Sequence, residues 1–240
     1  IIIDTARIII WWCQIIIDTS SSMYYPQLQN FSLQKPNKIL YSVYAAASLM
    51  NLFKKQRDSV GLSMFSDKLD YHSESKTTNK HHISLKRKMV ETLNNKPEFK
   101  TTSTIDAIHQ VASRLHKRSL VLFFTDMIEG VEDLNEIFLA LQHLKFNKHE
   151  VILFHLSENK TEFDLEFSNS PHKFIDIETK EEINLNPIEI KKEFKKRSDM
   201  FLNELKTRCL QYKIDLVNVN INKGIEEILI SYLLKRQKMF

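Results

Sequence analysis

A chain of 240 residues is long enough for one substantial domain, and 42% hydrophobic with 27% charged residues excludes a wholly disordered, collagen-like or multi-span membrane protein. Its three glycines, Gly61, Gly130 and Gly224, lie too far apart for a GxGxxG or GxxxxGK(S/T) phosphate loop or a GxSxG nucleophile elbow. The net charge of +4 is mild, and Cys13 and Cys209 supply neither a disulfide framework nor a CxxC zinc knuckle, which suits a reducing, cytoplasmic compartment.

Residues 1–12 form a poorly specified lead-in. The chain opens on Ile1 and IIIDT occurs at 1–5 and again at 15–19, which reads as a truncated or locally unusual N-terminus. Asp4 and Arg7 interrupt the apolar stretch before it approaches the ~20 residues of a spanning helix, so no stable membrane span is expected. Residues 13–240 are expected to form a single domain.

Within it, the apolar run Cys13–Ile17 predicts a buried strand ending in Asp18, and DTSSSMYYP predicts a polar loop. After the start signal Pro36-Asn37, Leu40, Val43, Ala47, Met50 and Phe53 recur at helical spacing over 38–55. SVGLSMF (59–65) predicts a second strand, 69–76 a short edge strand and 81–93 a helix. Ile105, Ile108, Val111, Ala112 and Leu115 line one face of another helix, with Thr102 to Thr104 as cap candidates. LVLFFT (120–125) is an unbroken apolar strand that ends, like the first, in an aspartate, Asp126. A helix over 133–144 and a strand over 151–156 follow. Residues 157–186 form an inserted polar segment containing a small hairpin, FIDI-ETKE-EINL, expected to protrude from the main sheet. A long charged helix over 187–212, a strand over 214–219 and a final amphipathic helix complete the chain.

Apolar strands alternating with helices predict an α/β fold: an open, mainly parallel, doubly wound sheet with helices on both faces. Such sheets bind ligands beyond the carboxyl ends of their strands, where strand order reverses, and Asp18 and Asp126 both fall at such ends. Asp18, Ser20 and Ser22 supply a carboxylate and two hydroxyls at i, i+2 and i+4. These hard oxygen donors suit Mg²⁺ or Mn²⁺. Alone, a serine-rich turn after a strand is ordinary punctuation.

Four segments in order carry more. DTSSSM after the first strand, VGLSMFSD (60–67), TTSTIDAI (101–108) and FFTDM (123–127) together resemble a von Willebrand factor A-type domain. YSVYAAASLMNLFKKQRDSVGLSMFSD, KRSLVLFFTDM and ILISYLLKRQK are similar to its bacterial branch, the domain of unknown function 58 family. The resemblance implies strand order 3-2-1-4-5-6 with an antiparallel third strand. It also implies a metal-ion-dependent adhesion site at Asp18, Ser20, Ser22, Thr102 and Asp126, with Mg²⁺ or Mn²⁺ as the ion. A protein partner would donate an acidic residue to the metal, and the family association suggests a MoxR-type AAA+ ATPase in a chaperone-like or complex-maturing system. Tyr24 and Tyr25, beside the metal loop, are candidates for its rim.

Two other classes compete. An aspartyl-phosphate phosphatase or related metal-dependent hydrolase needs a second aspartate two residues after the first as general acid; Ser20 stands there, so a non-enzymatic domain is expected. Nucleic-acid binding is raised by KKQR (54–57), KHHISLKRK (80–88) and KKEFKKR (191–197). The last alternates with Glu189, Glu193 and Asp199 as a solvated helix face does, and no nucleic-acid partner is expected. His72, His81 and His82 lack metal-ligand spacing, and His155 in its apolar strand reads as a satisfied core histidine.

Overall fold

The computed structural model describes residues 12–27, 32–66, 68–94, 104–126, 134–146, 148–168, 170–175 and 182–238. Its centre is a six-stranded sheet built from β1 (Trp12–Asp18), β2 (Ser59–Phe65), β3 (Leu69–His72), β4 (Leu120–Thr125), β5 (Glu150–Ser157) and a late strand, β8 (Asp215–Asn220). The order is β3-β2-β1-β4-β5-β8, parallel except for β3, which runs antiparallel to β2. This is the order the resemblance implies, with β8 as the sixth strand because a hairpin intervenes in sequence.

The strands read as continuous apolar runs because both sheet faces are covered. Side chains alternate across a strand, so each strand feeds two cores. Cys13, Ile15 and Ile17 of β1, with Leu122 and Phe124 of β4, pack under α1 (Lys38–Gln56), α2 (Asn79–Asn94) and α7 (Glu226–Lys238). Ile16, Val121 and Phe123 pack on the other side with α3 (Thr104–Arg114), α4 (Leu134–Phe146) and α6 (Pro187–Gln211). At about 1.5–3 kcal/mol for each large apolar side chain buried, these two layers carry the fold without help from the loops at the strand ends.

Helix α1 starts where the sequence signals it: the Asn37 side chain accepts a hydrogen bond from the Leu40 N–H at 3.0 Å. It ends with Arg57 in the left-handed region at φ 62°, its N–H returned to the carbonyls of Lys54 and Phe53.

A polar seam crosses the edge of the sheet. Buried Gln14 donates to Ser63 Oγ at 2.8 Å, and Ser75 Oγ donates to the Cys13 carbonyl at 2.9 Å. Gly61 lies inside this seam: a Cβ there would stand 2.2 Å from Gln14 Oε1 and 2.7 Å from the Ser73 carbonyl. The edge strand is shorter than the sequence suggests. It stops at His72, and 73–76 run on alongside β2 through Ser73–Leu62 hydrogen bonds and a Val60–Lys76 bridge.

The segment 157–186 divides in two. Its strands β6 (His172–Ile175) and β7 (Glu182–Leu185) form a separate antiparallel hairpin outside the main sheet. Its beginning does not protrude. Ser157 still belongs to β5, Ser157 and Glu158 are buried, and the short helix α5 (Asn159–Glu162) turns back over the sheet edge. A polar composition predicts an external stretch, but Ser157 and Glu158 are buried, and Thr161 and Glu162 are tied to Tyr25 and Lys38.

Candidate metal centre

β1 and β4 are adjacent and parallel, with Ile17 opposite Phe124, so the strand order reverses between them and their carboxyl ends share one edge. Asp18 and Asp126 therefore lie together, 3% and 4% exposed. The loop leaving β1 is locked locally. Thr19 donates from both its N–H and its hydroxyl to the Phe65 carbonyl at 2.7 Å, and Asp18 Oδ1 accepts from the Ser20 N–H at 2.9 Å. A 3-10 turn over Ser21–Tyr24 then folds the serines inward, and Ser20, Ser21 and Ser22 are all buried.

The oxygens of both strand ends form one chain. Ser20 Oγ lies 3.0 Å from Ser22 Oγ, and Ser22 Oγ donates to Asp126 Oδ1 at 3.1 Å. Asp18 Oδ2 accepts from the Thr125 hydroxyl at 2.7 Å. Ser21 Oγ, also buried, has no hydrogen-bond partner among the described residues. Behind the site, His155 Nε2 lies 3.0 Å from the Asp126 carbonyl. A carbonyl only accepts, so Nε2 carries the proton, and burial pushes the imidazole pKa down to about 4, keeping it neutral. This histidine is satisfied at Nε2, and the Asn218 side chain lies beside the ring.

The charges are unequal. Asp126 Oδ2 accepts from Lys38 Nζ at 2.8 Å, and the same ammonium pairs with Glu162 of α5. Burial works against the charge on Lys38, but the two carboxylates outweigh it and raise its pKa. Among the described residues no cation pairs with Asp18. Burial, reinforced by the charge of Asp126, pushes the Asp18 carboxyl up to about 7 despite its bonds to Ser20 and Thr125.

Of the five residues singled out from sequence, Asp18, Ser20, Ser22 and Asp126 are brought together; Thr102 lies outside the described residues. Tyr24 and Tyr25 flank the loop, but their hydroxyls point away into bonds with the Thr92 carbonyl and Thr161 Oγ1. No cluster of three or more His, Cys, Asp or Glu able to hold a metal occurs among the described residues. An ion here would rest on two carboxylates and hydroxyl oxygens, a hard donor set that fits Mg²⁺ or Mn²⁺ and no soft metal.

Lys38, Thr125, Glu162 and the position of His155 were missed by sequence reading. Lys38 had one local signal: it occupies the first position of a helix, where the macrodipole disfavours a cation, so it needs another reason to be there. Glu162, in a polar connection, had none.

The sequence model of a family described as "Protein of unknown function DUF58" matches residues 12–200. No curated protein matches the chain. Among solved structures, the conserved hypothetical protein BatB from Bacteroides thetaiotaomicron is similar at 14% identity and a TM-score of 0.56, over 95% of this chain and 98% of that one. An aerotolerance-related membrane protein from Bacteroides fragilis is similar at 16% identity and a TM-score of 0.51, over 89% and 94%. The SpRpn10 VWA domain aligns at 12% identity and a TM-score of 0.47, over 92% and 94%. Identities this low speak for fold alone: an open, mainly parallel sheet with one antiparallel edge strand. No helix among the described residues is long and apolar enough to cross a membrane.

Proposed function

Because the chain belongs to the DUF58 family of proteins of unknown function, we propose that it is a non-enzymatic protein-interaction domain whose partner binding depends on a divalent metal, Mg²⁺ or Mn²⁺, at Asp18, Ser20, Ser22 and Asp126. The observation that carries this reading is Asp18. It is a buried carboxylate beside a second one, has no cationic partner among the described residues, and is bonded to the Thr125 hydroxyl and the Ser20 side chain. A divalent cation supplies the missing charge at that point. Asp18 would hold it directly, Ser20 and Ser22 would present neutral oxygens, and Asp126 would act on the far side. Thr102 completes the set by resemblance.

With one direct carboxylate the ion keeps net positive charge, so a glutamate or aspartate from a partner can complete its shell. A catalytic role has less support: the residue two positions after Asp18 is Ser20, which offers no general acid. A MoxR-type AAA+ ATPase is the partner to try first, on family association alone.

The test is capture with the immobilised full chain in Mg²⁺ and in EDTA, alongside Asp18→Ala. Retention of a partner in Mg²⁺, with loss in EDTA and in the variant, is the expected result. Equal retention in all three would overturn metal dependence.

A further inference from the structure

A site that needs one cation already contains another. Lys38 is fully buried, although it starts a helix and although nothing in a metal-binding loop calls for an ammonium. Its backbone is fixed, the N–H donating to the Tyr25 carbonyl and the carbonyl accepting from Ser42 Oγ, so only its four-carbon stem can move. Its ammonium spans two carboxylates on different elements, Asp126 after β4 and Glu162 in α5, with the Tyr25 ring 5.6 Å away. Glu162 is itself held, Oε2 accepting from the Glu158 N–H at 2.7 Å.

We propose that Lys38 is a resident cation that a divalent ion must displace from Asp126, and that Glu162 keeps the displaced ammonium paired. This rests on the metal reading above. Lys38 thereby sets the metal affinity of the site and neutralises Asp126 when no ion is bound.

The physical argument has two parts. A divalent ion held directly by Asp18 and through water by Asp126 would draw on the carboxylate that Lys38 now holds, and it would repel the ammonium through a poorly screened interior. An ammonium this deeply buried cannot be left unpaired, so a single-partner lysine would block the ion outright. The second carboxylate removes that block. One of its oxygens is held by the Glu158 N–H, which leaves the other aimed at the ammonium.

Calorimetric Mg²⁺ titration and Mg²⁺-dependent melting of wild type, Lys38→Met, Glu162→Gln and the double variant test this. Lys38→Met should bind Mg²⁺ at least about tenfold more tightly, through lost competition and repulsion. A lysine that merely holds Asp126 in place would give the opposite sign. Glu162→Gln should weaken Mg²⁺ binding, and most of that effect should vanish in the Lys38→Met background, because it acts through the lysine. Should Lys38→Met not fold, Glu162→Gln still decides: unchanged Mg²⁺ affinity overturns the proposal. Mg²⁺ binding in wild type that Lys38→Met leaves equal or weaker overturns this proposal alone. No Mg²⁺ binding in any of the chains overturns the metal reading and this proposal with it.

Discussion

Asp18 is the residue whose ionisation the fold resists. Its carboxyl is raised to about 7 in the folded chain, against 3.8 for the free group. The folded state therefore binds the proton that the unfolded state has already lost between those values. Its contribution to stability is greatest below about pH 4 and declines as pH rises to about 7, by at most ~1.4 kcal/mol per unit. In metal-free buffer, urea midpoints of wild type should fall from pH 5 to pH 8 relative to those of Asp18→Asn, which lacks the group. Parallel pH profiles would show that Asp18 ionises freely. A divalent ion would reverse the preference by stabilising the carboxylate, so Mg²⁺ affinity should rise by up to about tenfold per pH unit below 7 and level off above it. Calorimetry at pH 5.5, 6.5 and 7.5 reads this directly.

At the scale of elements, strands and helices follow from pattern because both of the pattern's physical causes are local. Largely apolar runs mark strands covered on two faces, as in β1, β4 and β5, and the 3.6-residue recurrence in α1 marks one covered face. Asp18, Ser20, Ser22 and Asp126 were legible for the same reason: each stands at a strand end that the pattern already locates. Lys38 and Glu162 were not, since their meeting depends on how a helix start and a connection after β5 converge across 124 residues of sequence. Nor was the inward turn of α5, whose half-buried Thr161 and Glu162 are tied to Tyr25 and Lys38. The β1–β2 contact carries a separate prediction. A Cβ at Gly61 meets Gln14 and the Ser73 backbone, and the backbone cannot swing aside. Gly61→Ala should lower stability by about 1–3 kcal/mol, read as a lower urea midpoint with unchanged slope. A neutral result would mean that β3 shifts away freely.

Across the whole molecule, the two apolar layers flank the sheet while the candidate site lies at its rim, so fold and site separate energetically. EDTA should leave a cooperative melt, displaced only by the ion's binding linkage. The hairpin β6–β7 is equally separate, with strands that are largely exposed. Replacing 171–186 by a short flexible linker should preserve that melt and Mg²⁺ binding, whereas collapse of the melt would show that the hairpin supports the sheet. Most depends on whether Asp18 holds a divalent ion, and Mg²⁺ titration calorimetry of wild type and Asp18→Ala at pH 7.5 tests that most directly. A saturable one-site heat in wild type that disappears in the variant, with cooperative melting of both, is the expected result. No heat in wild type, or equal affinity in the two chains, would contradict it.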